Sequence, residues 1–339
     1  MICPHCNANL LRKERGDRRC SKCRRVFALE PKESVLGLHD MRVRKLAERL
    51  GDGRNLRYTL PQLWYAASRR QLPDLRKKFI RRRLMVSVPI AVATFVLLLT
   101  ALFPGMLVLG LGITALVLVN VLLTALRPRY MRTAPVRMPV SYDRFHKEVV
   151  GRWLQVYGAP PLGSVNERAE LPPAPRSPRL ALLCPDHGVL VCLSANNVAE
   201  TWGMALASRI DRLPPEVPVL VLHDASVPGI AFAAQARAAL GKRAVPVGLT
   251  PRALLGKDKA LRLRDPVDSS VVDVARLRAE PLSNAEIAWL AEGWWSPLAA
   301  VPPAKLLAAL TRAVERVEEA ADPDRKRARE VGFLTWPTG

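Results

Sequence analysis

Charged side chains vanish between Leu84 and Leu126, where forty-three consecutive residues include no Asp, Glu, Lys, Arg or His. The run divides at Phe103-Pro104-Gly105, residue types that end helices and turn chains. Segments 84–102 and 106–126 are nineteen and twenty-one residues long. At about 1.5 Å per residue each matches a hydrocarbon core of roughly 30 Å, so the pattern predicts a transmembrane hairpin. Upstream, in 38–83, apolar positions recur at helical spacing. Asp40 is expected to cap a helix ending at Gly51, with Met41, Val43, Leu46, Ala47 and Leu50 on its apolar face. Thr59 is expected to cap a second, with Pro61 in its first turn, and a third starts near Pro73-Asp74 and runs into the first span.

Downstream of the hairpin, Ser141 predicts an amphipathic helix within 140–157 carrying Phe145, Val149, Trp153 and Val156. Six prolines then mark 158–179 as a stiff linker. From Arg179 the pattern alternates. Leu180 to Cys184 and Val189 to Leu193 read as strands about a turn, Asn197 to Leu213 as a helix, and Val217 to Leu222 as a buried strand. A helix over Gly229 to Leu240, a strand over Ala244 to Val247 and a helix capped by Thr250 follow. Pro246 places that last strand at a sheet edge. Ser283 and Glu286 form a capping box for another helix, and Pro303 to Ala321 reads as the last. These spacings predict a multi-domain chain whose C-terminal part, 180–339, is an α/β domain with a mostly parallel sheet.

Charge orients the hairpin. Arg76, Lys77, Lys78, Arg81, Arg82 and Arg83 lead into the first span, and Arg127, Arg129 and Arg132 follow the second. Lys and Arg beside spans mark the cytoplasmic side, so two spans with both termini in the cytoplasm are expected in the cytoplasmic membrane. Residues 1–83 hold 23 Lys and Arg against 8 Asp and Glu, much of the whole chain's net charge of +22. Anionic lipid headgroups are the expected partner, because each nearby cation is worth about 1 kcal/mol there. Nucleic acid is the rival partner for the same charge. The basic helices of 38–83 fit a collar on the membrane surface, with a helix-turn-helix module as the alternative.

Four of the six cysteines fall in the first 23 residues, and Met1-Ile2-Cys3-Pro4 does not open like a signal peptide. Cys3 and Cys6, then Cys20 and Cys23, make two C-x-x-C pairs. In a reducing compartment such pairs read as metal ligands before disulfides. Each two-residue spacing folds a turn with its thiolates on one side, and two turns supply the tetrahedral shell that zinc favours. A redox dithiol and a rubredoxin-type iron centre are the competing readings. Residues 3–29 resemble the zinc-ribbon family, in which two such turns face each other across a small hairpin. The resemblance implies a structural Zn²⁺ held by Cys3, Cys6, Cys20 and Cys23, with His5 facing solvent. Cys184 and Cys192 read as buried small apolar residues.

In a parallel sheet the binding crevice lies beyond the carboxyl ends of the strands. The polar residues expected there are Asn196 and Asn197 after one strand and His223, Asp224 and Ser226 after another. Residues 180–260 resemble the Toprim fold of topoisomerases and primases. That family uses Asp-x-Asp at the strand end and a Glu after its first strand. Here the second acidic position is Ser226, and Cys184-Pro185-Asp186 follows the first strand. The departure puts catalysis in doubt, and no P-loop, nucleotide fingerprint or hydrolase elbow is present. No catalytic residue is assigned. The sequence reads as a membrane-anchored adaptor or sensor that presents its α/β domain to a protein partner or small ligand, with self-association through the hairpin. The alternatives are a nucleotide- or nucleic-acid-directed enzyme centred on Asp224 and a membrane-tethered nucleic-acid-binding protein.

Overall fold

A computed structural model describes residues 1–100, 104–257, 260–265 and 274–321. Residues 101–103, at the end of the predicted first span and the start of its turn, lie outside these.

The charge-free run forms two long helices, α3 (Leu75–Leu99) and α4 (Gly105–Thr133), each long and apolar enough to cross a membrane. Both extend past the apolar run into its basic flanks. Asp74 starts α3 by accepting from the amides of Arg76 and Lys77 at 2.9 and 3.3 Å. The outer surfaces are exposed, and the two helices pack on each other through small and polar groups. A Cβ on Gly112 would sit 2.3 Å from Thr94 Cγ2, so the backbones approach there only because residue 112 is glycine. Asn120 faces the other helix, donating to Ser87 Oγ at 3.2 Å and accepting from Arg83 Nε. Gly112→Val should therefore push α3 and α4 apart and cost about 1 to 3 kcal/mol by overpacking, measured as lost thermal stability in detergent.

Before the hairpin stand α1 (Asp40–Gly51) and α2 (Leu60–Ser68). Thr59 caps α2 in a capping box with Gln62, as its sequence predicts. Asp40 does not cap α1. It is the first helical residue, and its carboxylate accepts from the amides of Ala28 and Leu29 at 2.9 and 2.8 Å and from the Tyr157 hydroxyl. The helix over 142–157 returns after the hairpin, with His146–Gly151 wound as a π-helix. Phe145, Val149, Val150 and Trp153 pack with Val43, Leu50 and Leu63 in one core. The apolar faces of α1 and α2 are thus spent on protein, leaving only their polar faces for a membrane surface.

The proline-rich 158–179 is no free linker. Strands β1 (Tyr58–Thr59) and β2 (Ser164–Val165) pair in parallel. Tyr142 donates to Glu167 Oε1 at 2.5 Å, and Leu171 packs into the C-terminal core.

Four strands form the parallel sheet: β3 (Leu180–Leu183), β4 (Met204–Ala207), β5 (Val219–Val221) and β6 (Ala244–Pro246), in spatial order β4-β3-β5-β6. Pro246 lies on an edge strand, as expected. Helices cover both faces. Leu182 and Leu220 pack toward His187–Ser194 and Pro303–Ala321, whereas Ala181, Val219 and Val221 pack toward Val227–Leu240.

Two sequence expectations fail here. Val189 to Leu193 is helical, not a strand: Asp186 caps it through the Val189 amide at 3.1 Å, and all five residues are buried, so no face pattern marks the helix. The long helix expected over Asn197 to Leu213 is only Val198–Trp202. Gly203, in the left-handed region at φ 54°, ends it, and β4 begins.

The last pair, β7 (Leu263–Arg264) and β8 (Trp294–Trp295), is antiparallel. It ties the α/β region to the end of α4. Val136 and Arg264 exchange backbone hydrogen bonds of 2.8 and 2.9 Å. Arg264 is 1% exposed, and its guanidinium donates to Met131 O at 2.7 Å and stacks 4.9 Å from the Trp294 ring. A cation at a helix carboxyl end also meets the negative pole of its dipole.

Candidate metal centre and strand-end crevice

Local backbone rules build the cysteine cluster. In each C-x-x-C turn the residue after the second cysteine, Asn7 or Arg24, takes a left-handed conformation at φ 56° or 59°. Its amide closes back on the carbonyl of the first cysteine, Asn7 to Cys3 at 3.1 Å and Arg24 to Cys20 at 2.8 Å. Antiparallel bridges Ile2 to Asn9 and Arg19 to Val26 flank the turns in equivalent places. The two turns face each other, so that Cys3 and Cys23 sulfurs lie 3.8 Å apart, Cys6 and Cys20 sulfurs 3.8 Å, and all four within 4.8 Å of one another. A tetrahedron with metal–sulfur bonds of about 2.3 Å has edges of about 3.8 Å. Amides of His5 and Cys23 point at the Cys3 and Cys20 sulfurs at 3.4 and 3.5 Å, which suits thiolates. The donor set therefore fits one metal ion with every coordination position filled by protein.

His5 is not the free solvent-facing side chain expected. It is half-buried, with Nε2 2.9 Å from Val26 O and its ring 6.0 Å from that of Tyr157. Beyond the cluster, Arg44 Nη1 donates to Pro4 O at 2.9 Å, and the buried Arg15 and Glu30 side chains pair at 3.1 Å. The cysteine segment is thus fixed to the helical core by Asp40 and Arg44 and braced on its own exit strand by the Arg15–Glu30 pair, none of which the spacing of the cysteines signals.

The sheet reverses its order between β3 and β5, which makes the gap beyond their carboxyl ends the switch point. Asp186 and Asp224 both lie there. The expected ligand residues are spent on the fold. Asp224 Oδ1 accepts from the Leu298 amide at 2.6 Å, and Ser226 caps Val227–Leu240 through the Gly229 amide at 3.0 Å. His223 is buried, with Nδ1 2.8 Å from Asp224 O, and its ring fills the space above Gly248. Burial pushes its pKa down, helped by the charge of Arg237 and opposed by the Asp224 carbonyl. Asn196 and Asn197 are not at a strand end, because the preceding segment is helical. Asn196 instead holds both backbone groups of Arg57, each at 2.9 Å, and Asn197 takes a left-handed turn.

The crevice is closed from above. Ala225 and Ser296 exchange backbone hydrogen bonds of 3.1 and 2.9 Å, and Gln62 of α2 donates to Val301 O at 3.2 Å. Tyr65 of α2 packs into the core beneath, where burial, then Asp224 and Asp186, push its hydroxyl up to about 12. Cys184 and Cys192 are buried, and burial pushes the Cys192 thiol up to about 12, so neither is a reactive thiolate.

Burial raises the Asp224 carboxyl, which means that folding favours its protonated form. The ionised group thus costs stability once pH rises through that pKa. Asp224→Asn keeps an acceptor for Leu298 without the charge and should raise the melting temperature at pH 7. Asp224→Ala should lower stability by about 1 to 3 kcal/mol, because the Leu298 amide loses its acceptor. Both are read by thermal denaturation.

Of the basic residues flanking the hairpin, Arg76, Lys77, Lys78, Arg81, Arg82, Arg83, Arg127, Arg129 and Arg132 are all exposed. Compared with family models, curated proteins and solved structures, the chain matches none.

Proposed function

We propose that this chain is an adaptor of the cytoplasmic membrane. The hairpin spans the bilayer with both flanks inside, a structural zinc completes a ribbon at residues 3–29, and the α/β region is held at the membrane for a protein partner or small ligand. The observation that supports this most is the clasp at Arg264. It joins the sheet-bearing region to the last turn of α4 by backbone pairing and a buried guanidinium, so movement of the helices is felt by the sheet. Four cysteine ligands leave zinc no open position, which favours structure over catalysis. The exposed cations around 76–83 and 127–132 suit anionic headgroups.

A nucleotide-directed enzyme is disfavoured because Asp224, His223, Ser226 and Asn196 all serve internal hydrogen bonds. The test is a thermal-shift series on the full chain in detergent against nucleotides, with and without Mg²⁺. A ligand at about 100 times its dissociation constant adds about 2.7 kcal/mol, which such a series resolves. No Asp224-dependent shift is expected. A nucleotide-induced rise that Asp224→Asn removes, together with turnover of that nucleotide by the wild-type chain, would overturn the adaptor reading in favour of the enzyme.

A further inference from the structure

The four-cysteine segment is clamped on one side only. Its first turn and exit strand meet Arg44, Asp40 and Tyr157, whereas the second turn and the loop before it face outward. Residues 12–25 carry eight Lys and Arg against Glu14 and Asp17. Arg15 turns inward to Glu30, but Arg12, Lys13, Arg19, Lys22, Arg24 and Arg25 are exposed. None of these six has an ion-pair partner within 4.0 Å among the described residues. Glu14 is tied to the Leu11 amide at 2.8 Å. The sulfur cage and its two closed turns hold these cations at fixed spacing, so uncompensated charge sits on a rigid surface.

We propose that this face docks on the phosphate backbone of double-stranded DNA. Duplex DNA carries about one negative charge per 1.7 Å of axis, a density that a cluster of fixed cations matches. Four of the six are Arg, whose planar fork fits phosphate oxygens. Residues 12–25 include no Phe, Tyr, Trp or His, so the face has no platform on which unpaired bases could stack. A single strand is therefore the poorer fit. Lipid headgroups already have their own cations on α3 and α4. The ribbon contacts Tyr157, about 24 Å along its helix from the end that follows α4. This role adds a partner to the adaptor reading and does not depend on the α/β region.

The experiment uses the full-length, zinc-loaded protein in nanodiscs of neutral phosphatidylcholine with a fluorescent 30-bp duplex, followed by anisotropy. Six phosphate contacts predict a slope of log K against log salt of about −5, and roughly a thousandfold loss between 50 and 200 mM. The quadruple variant Arg12→Gln, Lys13→Gln, Lys22→Gln, Arg25→Gln should bring the slope to about −2 with unchanged metal content. Arg81→Gln with Arg82→Gln should leave it unchanged. The proposal is overturned if the wild-type protein does not bind the duplex at 50 mM salt, if a single strand binds as tightly, or if the quadruple variant retains the full slope. Binding by the same face to phosphatidylserine vesicles but not to DNA would assign it to lipid instead.

Discussion

Stripping the metal from the four-cysteine segment should unfold residues 1–29 and loosen the helical core behind them. A unit of this size has little core of its own: Cys3, Leu10 and Cys20 form its buried cluster, with Ala8 and Cys23 partly buried beside them. Units of this kind gain about 10 to 16 kcal/mol at neutral pH from binding a structural zinc, so a metal held by these four thiolates would supply folding free energy. The damage spreads because the exit strand is shared. Phe27, Ala28 and Leu29 are buried, and Ala28 and Leu29 belong to the same core as α1 and the helix over 142–157. Chelation should therefore make 1–29 susceptible to protease and lower the first thermal transition of the whole chain. Zinc, and not Mg²⁺, should restore both, since hard oxygen-seeking ions are poor thiolate partners. Cys20→Ser should reproduce the chelated state with no recovery on adding zinc.

Asp40→Ala should be the most damaging single substitution outside the cysteines. The carboxylate is fully buried and serves two backbone amides and the Tyr157 hydroxyl, so its loss strands donors that have no access to water. A hydrogen bond to a charged group is worth about 1.5 to 3 kcal/mol, and an orphaned buried donor adds its desolvation cost. The tyrosine hydroxyl can rotate to another acceptor, which leaves an expected loss of about 3 to 5 kcal/mol. Tyr157→Phe, which removes one donor and leaves the amides satisfied, should cost about 1 kcal/mol. Chemical denaturation of the three proteins side by side checks both values. Equal losses for the two variants would show that Asp40 acts through Tyr157 alone.

How much of this was legible in the sequence depends on whether the signal was local. A charge-free run of this length is far longer than any strand and reads as spanning helices, and two C-x-x-C pairs close their turns by themselves, so both features appear where the residues place them. The capping boxes at Thr59 and Ser283 are equally local. Val189 to Leu193 failed because an all-apolar stretch has no periodicity to separate strand from buried helix. The signal that decides it is Asp186, three residues before Val189, acting as a cap. Asp40 and Arg264 were illegible for a different reason. A carboxylate at a helix start looks like a cap, and an arginine in a basic chain looks like surface. Their partners are distant in sequence, Ala28, Leu29 and Tyr157 for one and Met131 for the other. The crevice residues fell between these cases. Asp224 and His223 were correctly placed at a strand end, but nothing near them announces that Leu298 and Ser296 close over it.

A hairpin in the membrane with both flanks on one side makes a sharp prediction for protease protection in sealed vesicles of opposite orientation. Inside-out vesicles should lose both the basic flank before residue 84 and the chain after residue 126 to protease and retain one protected fragment, the charge-free run of forty-three residues at 84–126, whose two segments each match the hydrocarbon core. Right-side-out vesicles should protect the whole chain. Release of the protein by alkaline carbonate, or cleavage of only one flank from either side, would contradict the account.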